Sequence, residues 1–441
     1  MIKFSNIIKF LFLFSLIVGG CEYKCVIEEE EKALYTGIGY SARLSLDSRS
    51  SPYIFHIVYN DSGRFRYITY KDDRGSWRSI ELDSDPLAYS IGNYKRTDTF
   101  SYGGSEDSLL FLIDEDDRFH IVTKSLYTSY YYFKGDLEDG WSRVSFTIDQ
   151  LKEVLDIEKY IYVIGSYPIT NDSIFIIFFN EKESMGGYYL GEVKSNGEID
   201  MEPIVEFEEG EVKSLISYYL FKPTNYILNE NRLCISAKSR EINYLCIDLD
   251  SRELVEEGRV KENSLSYFLN DNYPPDHLLL NIVITKDIEE GVCPEGNCTT
   301  IYEAKRGGNS QWSIEPIYLD RIDIPWNEQV ISCVDFRDGV IAFVVKNKGW
   351  EGEKAYLVYR TDEVEDWSIE EIPLEVEYID NVELRVDSIG CIHLLVSTCD
   401  IEDGEGWIYD RIHYSAILRL DLYYMVWDGK TWSIEKVELN D

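Results

Sequence analysis

IHLLV (Ile392–Val396), LYYMVW (Leu422–Trp427) and WSIEKVEL (Trp432–Leu439) close the chain in that order. The same phrase opens it as IFHIVY (Ile54–Tyr59), RFRYITY (Arg64–Tyr70) and WRSIELD (Trp77–Asp83). An apolar run, a Tyr-rich run and a Trp-led run recurring at long intervals mean one supersecondary unit used many times. The Trp position falls at Trp77, Trp141, Trp312, Trp367 and Trp432. The interval between Trp141 and Trp312 is about three average units, so two units without the Trp must lie inside it. They are read at SIFIIFF, GYYLGEV and NGEIDMEPIVEF, with Ile199 near the Trp position, and at RLCISAK, INYLCIDLD and RELVEEGRV, with Leu254 near it.

Each unit splits into four short runs rich in β-branched and aromatic residues, separated by turn residues. Four strands per unit and about seven units predict an all-β chain folded as a single β-propeller. The expectation is seven four-stranded blades, at approximately 35–85, 86–150, 157–208, 212–262, 263–321, 328–376 and 380–441. Six or eight blades stay open, and a solenoid of stacked units is the runner-up. Only IDQLKEVLD (Ile148–Asp156) reads as helix, from apolar residues at Ile148, Leu151 and Leu155.

The first residues, MIKFSNIIKFLFLFSLIVGGC, place Lys3 and Lys9 before an apolar stretch ending in Gly19, Gly20 and Cys21. The stretch is too short to span a bilayer, which takes about 20 residues, and has the layout of a secretory signal. Val18-Gly19-Gly20-Cys21 resembles a bacterial lipobox. That resemblance implies removal of residues 1–20, lipidation of Cys21, and export to the cell envelope with the lipid as membrane anchor. Glu22 in place of Asp implies the outer membrane if the cell is Gram-negative. Residues 21–34, with the run Glu28–Glu31, then form an acidic tether.

The formal net charge is −38, and losing Lys3 and Lys9 with the signal leaves about −40. Such a body is repelled by nucleic acid, so no nucleic-acid partner is expected. Nine cysteines, less Cys21, leave an even number in an exported chain. Candidate disulfides are Cys293 with Cys298, across a short Pro/Gly loop, and Cys234 with Cys246, on two runs that suit adjacent antiparallel strands. No cysteine spacing suits zinc, and neither a metal nor a cofactor is expected.

IHLLV followed by YYMVWDGKTWSIEKVE resembles the BNR-type, sialidase-like propeller repeats of bacterial secreted proteins and lipoproteins. The likeness extends over most of Ala33–Asp441. The family's Asp-box is approximated by Asp73-Arg-Gly-Ser-Trp77 and Asp428-Gly-Lys-Thr-Trp432, with shortened spacing. That box is structural in the family: Asp and Gly make a hairpin turn and the Trp covers the sheet.

Residue types that carry chemistry fall mostly on repeated positions. His56, His120 and His393 read as one position, with His277 close to it, and a shared position spreads them round a ring. Asp47, Asp114, Asp335 and Asp387 each end a first run before a turn, where Asx-turn bonding explains them. Arg43, Glu383 and Arg385 lie on first runs of adjacent units after closure, and two arginines there face a central channel. The insertion in the last unit supplies Trp407, Tyr409, Arg411 and Tyr414, aromatic and Arg residues of the kind that anchor interfaces. The expected function is a binding or interaction module for a protein or glycan ligand. A glycan-active hydrolase or lyase of the sialidase-like kind and a structural scaffold are the alternatives.

Overall fold

The computed structural model describes residues 35–438 except 38–39, 61–62, 87–107, 115, 125–128, 138–139, 156–160, 171–172, 183–184, 195–196, 208–225, 230, 237–242, 262–263, 271–272, 285–297, 320–321, 324–328, 348–353, 365, 377 and 404–416. Antiparallel hairpins follow one another along it. Sheet one holds β2 (Tyr40–Leu46), β3 (Pro52–Asn60), β4 (Gly63–Lys71) and β5 (Trp77–Pro86). Sheet two holds β6 (Ser108–Ile113), β7 (Phe119–Lys124), β8 (Ser129–Asp136) and β9 (Gly140–Thr147). Sheet three holds β10 (Ile161–Thr170), β11 (Ser173–Lys182), β12 (Met185–Lys194) and β13 (Ile199–Phe207). Sheet four holds β14 (Tyr226–Asn229), β15 (Arg232–Ser236), β16 (Tyr244–Asp248) and β17 (Leu254–Gly258). Sheet five holds β18 (Ser264–Phe268), β19 (His277–Ile284), β20 (Cys298–Arg306) and β21 (Trp312–Pro316). Sheet six holds β22 (Gln329–Arg337), β23 (Val340–Asn347), β24 (Ala355–Thr361) and β25 (Ser368–Glu371). The closing sheet holds β26 (Ile379–Val386), β27 (Ile392–Asp403), β28 (Ile417–Trp427) and β29 (Trp432–Lys436), joined by β1 (Tyr35–Gly37).

Seven four-stranded sheets were the expectation; six have four strands and the closing one has five. The extra strand arises because β28 outruns its C-terminal partner. The β29 strand pairs with Tyr423–Trp427, leaving the start of β28 open, and β1 fills that edge in parallel, Tyr35 opposite Leu418 and Gly37 opposite Leu420. An open edge invites pairing with another chain, and a strand from the far end of the sequence covers it.

The first strands of successive sheets lie together: β22 beside β26, β26 beside β2, β2 beside β6 and β6 beside β10. They form the inner edge of a ring, and apolar clusters fill the spaces between sheets. Phe55, Ile57 and Ile68 of sheet one meet Phe111, Ile121 and Phe133 of sheet two. Further clusters join sheets two and three, four and five, five and six, and six and the closing sheet. An ion pair from Arg252 to Glu192 spans sheets four and three. Radial sheets in sequence order, packed face to face and closed by a strand from each terminus, are a β-propeller.

The repeated Trp opens or adjoins the fourth strand. It begins β5, β21 and β29, and its register partners are Lys71, Arg306 and Trp427. In the two units that lack Trp, Ile199 and Leu254 begin β13 and β17 in the same place. The preceding turn is set by an aspartate. Asp428 Oδ1 accepts the amides of Lys430 and Thr431, and Gly429 takes the left-handed φ of 86°. In sheet one the turn aspartate is Asp72, whose Oδ1 accepts the Arg74 and Ser76 amides, and not Asp73, which the box-like spacing singled out. The helix α1 (Ile148–Leu155) follows β9 and is closed by a capping box. Its Gln150 amide donates to Thr147 Oγ1, and the Thr147 amide donates to Gln150 Oε1.

Cations on the third or fourth strand reach carboxylates of the preceding sheet. Arg306 pairs with Glu256, Arg360 with Glu303, Arg143 with Asp83, and Lys71 with Glu435. Three of these cations also lie against the repeat Trp of their own sheet: Lys71 on Trp77, Arg306 on Trp312 and Arg360 on Trp367, at 5.1, 6.0 and 4.5 Å. Glu303 is the most enclosed carboxylate of the set. Burial alone would raise its pKa, but hydrogen bonds from His277 and Arg360 overcome that and hold it at about 2.

At the closing junction, eight buried side chains pack together: Ala42, Leu44, Ile54 and Trp77 with Leu395, Leu422, Tyr424 and Val437. Burying one large apolar side chain contributes roughly 1.5–3 kcal/mol, against about 1 kcal/mol net for one backbone hydrogen bond. The apolar cluster therefore dominates over the short β1 ladder. Leu422→Ala should lower the unfolding free energy by about 2–4 kcal/mol, and deletion of residues 35–37 by less, as read by urea denaturation. If the deletion costs more, the ladder holds the ring. Glu303→Gln should cost about 1–2 kcal/mol at neutral pH, since the pair is only partly shielded from water. A carboxyl depressed on folding contributes stability above its unfolded pKa of about 4.5 and loses it as pH falls toward 2. The variant should therefore show a shallower acid loss across that window.

Candidate functional site

Inner strands alternate, one residue packing between sheets and the next turning to the ring's interior. On β26, Val382, Leu384 and Val386 enter the cluster against sheet six, and Glu383 and Arg385 alternate with them. On β2, Ala42 and Leu44 enter the closing cluster and Arg43 alternates with them. Arg43 Nη1 donates to Glu383 Oε1 at 2.5 Å, across the junction where the ring closes. The sequence brought Arg43, Glu383 and Arg385 to neighbouring strands, and the structure joins the first two directly.

Three further groups complete this stretch of the inner ring. Asp335 on β22 accepts the Val386 amide through Oδ2 at 2.7 Å and lies within the field of Arg385. Burial pushes its carboxyl pKa up, and Arg385 and the amide offset that only in part. Cys333, two residues earlier, has its thiol pushed up by burial and by the nearby Glu383. Lys346 on β23 donates Nζ to the Asp380 carbonyl oxygen at 2.9 Å, and burial pulls its ammonium pKa down. All three are partly exposed. The cluster thus combines a closed Arg–Glu bridge, a second arginine, and a carboxyl favoured toward its neutral form.

Asp335 departs from the reading that placed it with Asp47, Asp114 and Asp387. Those three are turn residues, each accepting the amides two and four residues ahead through Oδ1. Asp335 lies inside β22, because that strand runs on to Arg337 before its turn at Asp338–Gly339.

The histidines also divide. His120 and His393 stand six residues after a turn aspartate, and each joins it to a tyrosine. His120 Nε2 donates to Asp114 and Nδ1 accepts from the Tyr132 hydroxyl. His393 bonds Asp387 and Tyr424 in the same way. Burial lowers both imidazole pKa values, with the aspartates opposing it. His56 is not at that position. Tyr53 is, pairing with Ser45 as His393 pairs with Arg385. His56 lies three residues further on, on the opposite face of β3, with Nε2 2.9 Å from Thr69 Oγ1. His277 is a separate case again, bonded to Glu303.

Cys234 on β15 and Cys246 on β16 stand directly opposite and are disulfide-bonded. Cys298 opens β20, and Cys293 lies outside the described residues, as do Cys21, Trp407, Tyr409, Arg411 and Tyr414. The segment that holds the last four joins β27 to β28. Cys333 and Lys346 were missed by sequence reading and Asp335 was read as a turn residue; the placement of β22 next to β26 brings them together.

No family model matches the chain, and no curated protein matches it. Solved structures that resemble it include the Dos1 propeller, at 8% identity and TM-score 0.41, over 87% of this chain and 81% of that one. Hydrazine synthase of Kuenenia stuttgartiensis matches at 9% identity and TM-score 0.44, over 90% of this chain and 95% of that one. The polysaccharide lyase Uly1 matches at 10% identity and TM-score 0.40, over 83% and 87%. At these scores none of the likenesses carries an assignment, and the propeller rests on the sheet order itself.

His56 provides a test of the buried geometry. Enclosure holds its imidazole at about 3, far below the unfolded value of 6.5. A base depressed on folding contributes stability above pH 6.5 and loses it progressively as pH falls from there toward 3. Nitrogen NMR should find His56 neutral at pH 5. An imidazole that titrates near 6 would show the site to be wet.

Proposed function

We propose that the protein is a lipid-anchored propeller of the cell envelope that holds a protein or glycan ligand without transforming it. The Arg43–Glu383 bridge carries this reading. Catalysis on glycosidic bonds needs carboxyls free to trade protons or attack carbon. Here the buried inner-ring carboxylate of Glu383 is already committed to the Arg43 guanidinium, an arrangement that suits recognition by exchange of partners. The export and anchoring parts of the reading rest on the Lys3-to-Cys21 pattern. The BNR-type likeness rests on the recurrent Trp and its aspartate turn, and with the five-stranded sheet counted as a blade the propeller has seven.

One observation favours a second reading, a glycan-active hydrolase. Burial raises the Asp335 carboxyl pKa, and Glu383, on the adjacent inner strand, is paired with Arg43. A carboxyl of raised pKa near a second carboxylate is a pairing that glycoside hydrolysis uses.

The two readings separate in one experiment. Purified mature protein is titrated by calorimetry with envelope polysaccharides and peptidoglycan fragments, and reducing ends are assayed in parallel. The binding reading expects heat of binding, no new reducing ends, and a severalfold weaker affinity in Arg43→Ala. New reducing ends that disappear in Asp335→Asn would replace it with the hydrolase reading. Anchoring has its own check: Cys21→Ala should move the protein from the membrane to the soluble fraction, and retention on the membrane would refute the lipid.

A further inference from the structure

Several inner strands carry an extra residue in their first half. Against its partner strand, β2 gains one residue between Tyr40 and Arg43, β6 gains Leu109, β10 gains Ile164, β22 gains Ser332 and β26 gains Asp380. Such a bulge bends the strand, re-aims the side chains beside it and leaves a backbone group outside the ladder. It also interrupts the alternation of faces. Ile379 and Val382 both enter the cluster between sheet six and the closing sheet, and Ile331 and Val334 both enter the cluster between sheets five and six. At that odd spacing an unbulged strand would put each pair on opposite faces. Beyond the bulges the strands fall into step. The Val386 amide donates to Asp335 Oδ2, and the Ile113 amide donates to Ser45 Oγ at 3.2 Å, the same bond at two junctions. Asp335 therefore matches Ser45, and Arg385 matches it through the register partners His393 and Tyr53. Two residues earlier on each strand, Cys333, Glu383 and Arg43 stand at one level.

Carbonyl groups at three of these bulges are taken by side chains of the preceding sheet. The Tyr267 hydroxyl donates to the Ile331 carbonyl oxygen at 3.2 Å, Lys346 Nζ to that of Asp380 at 2.9 Å, and Asn381 Nδ2 to that of Ala42 at 3.4 Å. Lys346 reaches Asp380 because it alternates with Val345 on β23 and so shares the face of Ala342 and Val344, which is turned to the closing sheet. Two of the three contacts flank the bridge: Asp380 precedes Glu383 on β26, and Ala42 immediately precedes Arg43 on β2. The entry of β26 is held by Ile379 in its cluster, and its exit by the Asp387 turn. The bulge between them takes up the mismatch in alternation, so whatever holds the bulge sets how β26 presents Glu383. We propose that Lys346 and Asn381 are positioning residues for the Arg43–Glu383 pair, fixing the bulges of the two strands that carry it. The inference rests on the reading of that bridge as the recognition site and adds what holds its geometry.

Guanidinium labelling reads the bridge directly. The purified chain is treated with phenylglyoxal, and labelling at each arginine is followed by peptide mass spectrometry. Arg306 is the internal control, because it pairs with Glu256 at another junction and its side chain is 21% exposed, against 23% for Arg43. Glu383→Gln sets the scale, since it removes the ionic partner of Arg43. Lys346→Met should raise labelling of Arg43 severalfold, toward the Glu383→Gln level, and leave Arg306 unchanged. Lys346→Arg, which keeps a donor for the Asp380 carbonyl, should return Arg43 to the wild-type rate. Wild-type labelling of Arg43 in Lys346→Met overturns the positioning role. A parallel rise at Arg306 overturns it too, because it shows general loosening. Asn381→Ala puts the same question to β2 with the same two outcomes, and it decides the matter if Lys346→Met does not fold. The labelling uses no ligand, so a failure of the binding reading in calorimetry is told apart from a failure of this geometry.

Discussion

A ring of radial sheets is stable only if its last sheet meets its first, and here that meeting depends on the outer edge of β28. The strand has eleven residues. Its C-terminal half takes β29 and its N-terminal half takes β1. The strand that leads into sheet one is thereby fastened to the closing sheet, so opening the ring means losing the β1 ladder together with the apolar cluster at the junction. The buried faces of β2, β3 and β28 supply most of the closing energy, and Lys71–Glu435 and the edge-on contact of Trp77 with Tyr424 fix how the two sheets register. The channel-side bridge from Arg43 to Glu383 crosses the same junction. Closure and the candidate site are therefore one piece of structure.

The same junction logic recurs round the ring in a weaker form. A cation near the end of a third strand reaches back to a carboxylate on the preceding sheet and lies against the Trp of its own. An exposed ion pair contributes little, but a tryptophan face excludes water from one side of the guanidinium and adds its own attraction. The Trp position thus couples two jobs, covering its own sheet and shielding a contact to the next. Ile199 and Leu254 show what happens without it: the sheet is still covered, and the junction between sheets three and four uses Arg252 in the turn just before β17 instead.

Most of the fold was legible because blade construction is local. The Trp-led fourth strand, the turn aspartates and α1 each depend on residues within a few positions of one another, which sequence displays directly. Ile199 and Leu254 could be placed as stand-ins for Trp by interval alone. Register was less legible. His56 looked equivalent to His120 and His393 because all three follow an apolar residue, yet equivalence is set by distance from the turn, and Tyr53 holds that distance. The five-strand sheet was invisible, since β1 and β28 meet only through closure. The site was partly legible for the same reason: Arg43 and Glu383 are 340 positions apart. Adjacency of first and last units predicted their neighbourhood, while Asp335 was hidden by resembling a turn residue.

Asp335 also shows how the ring shapes chemistry at its centre. Its neighbours on the same strand are fixed by pairing with β23, and its carboxylate is held by an amide of β26, so it cannot swing toward solvent to relieve its desolvation. Glu383, one sheet further on, takes the Arg43 guanidinium as its partner. The propeller thus gives two carboxyls on adjacent inner strands different partners, an amide for Asp335 and a guanidinium for Glu383. Removing the Arg43 guanidinium would strip Glu383 of its ion pair across the junction. The charge pattern of the inner ring is therefore a property of closure, and a ligand that draws Arg43 away from Glu383 must supply an acceptor of equal strength in its place.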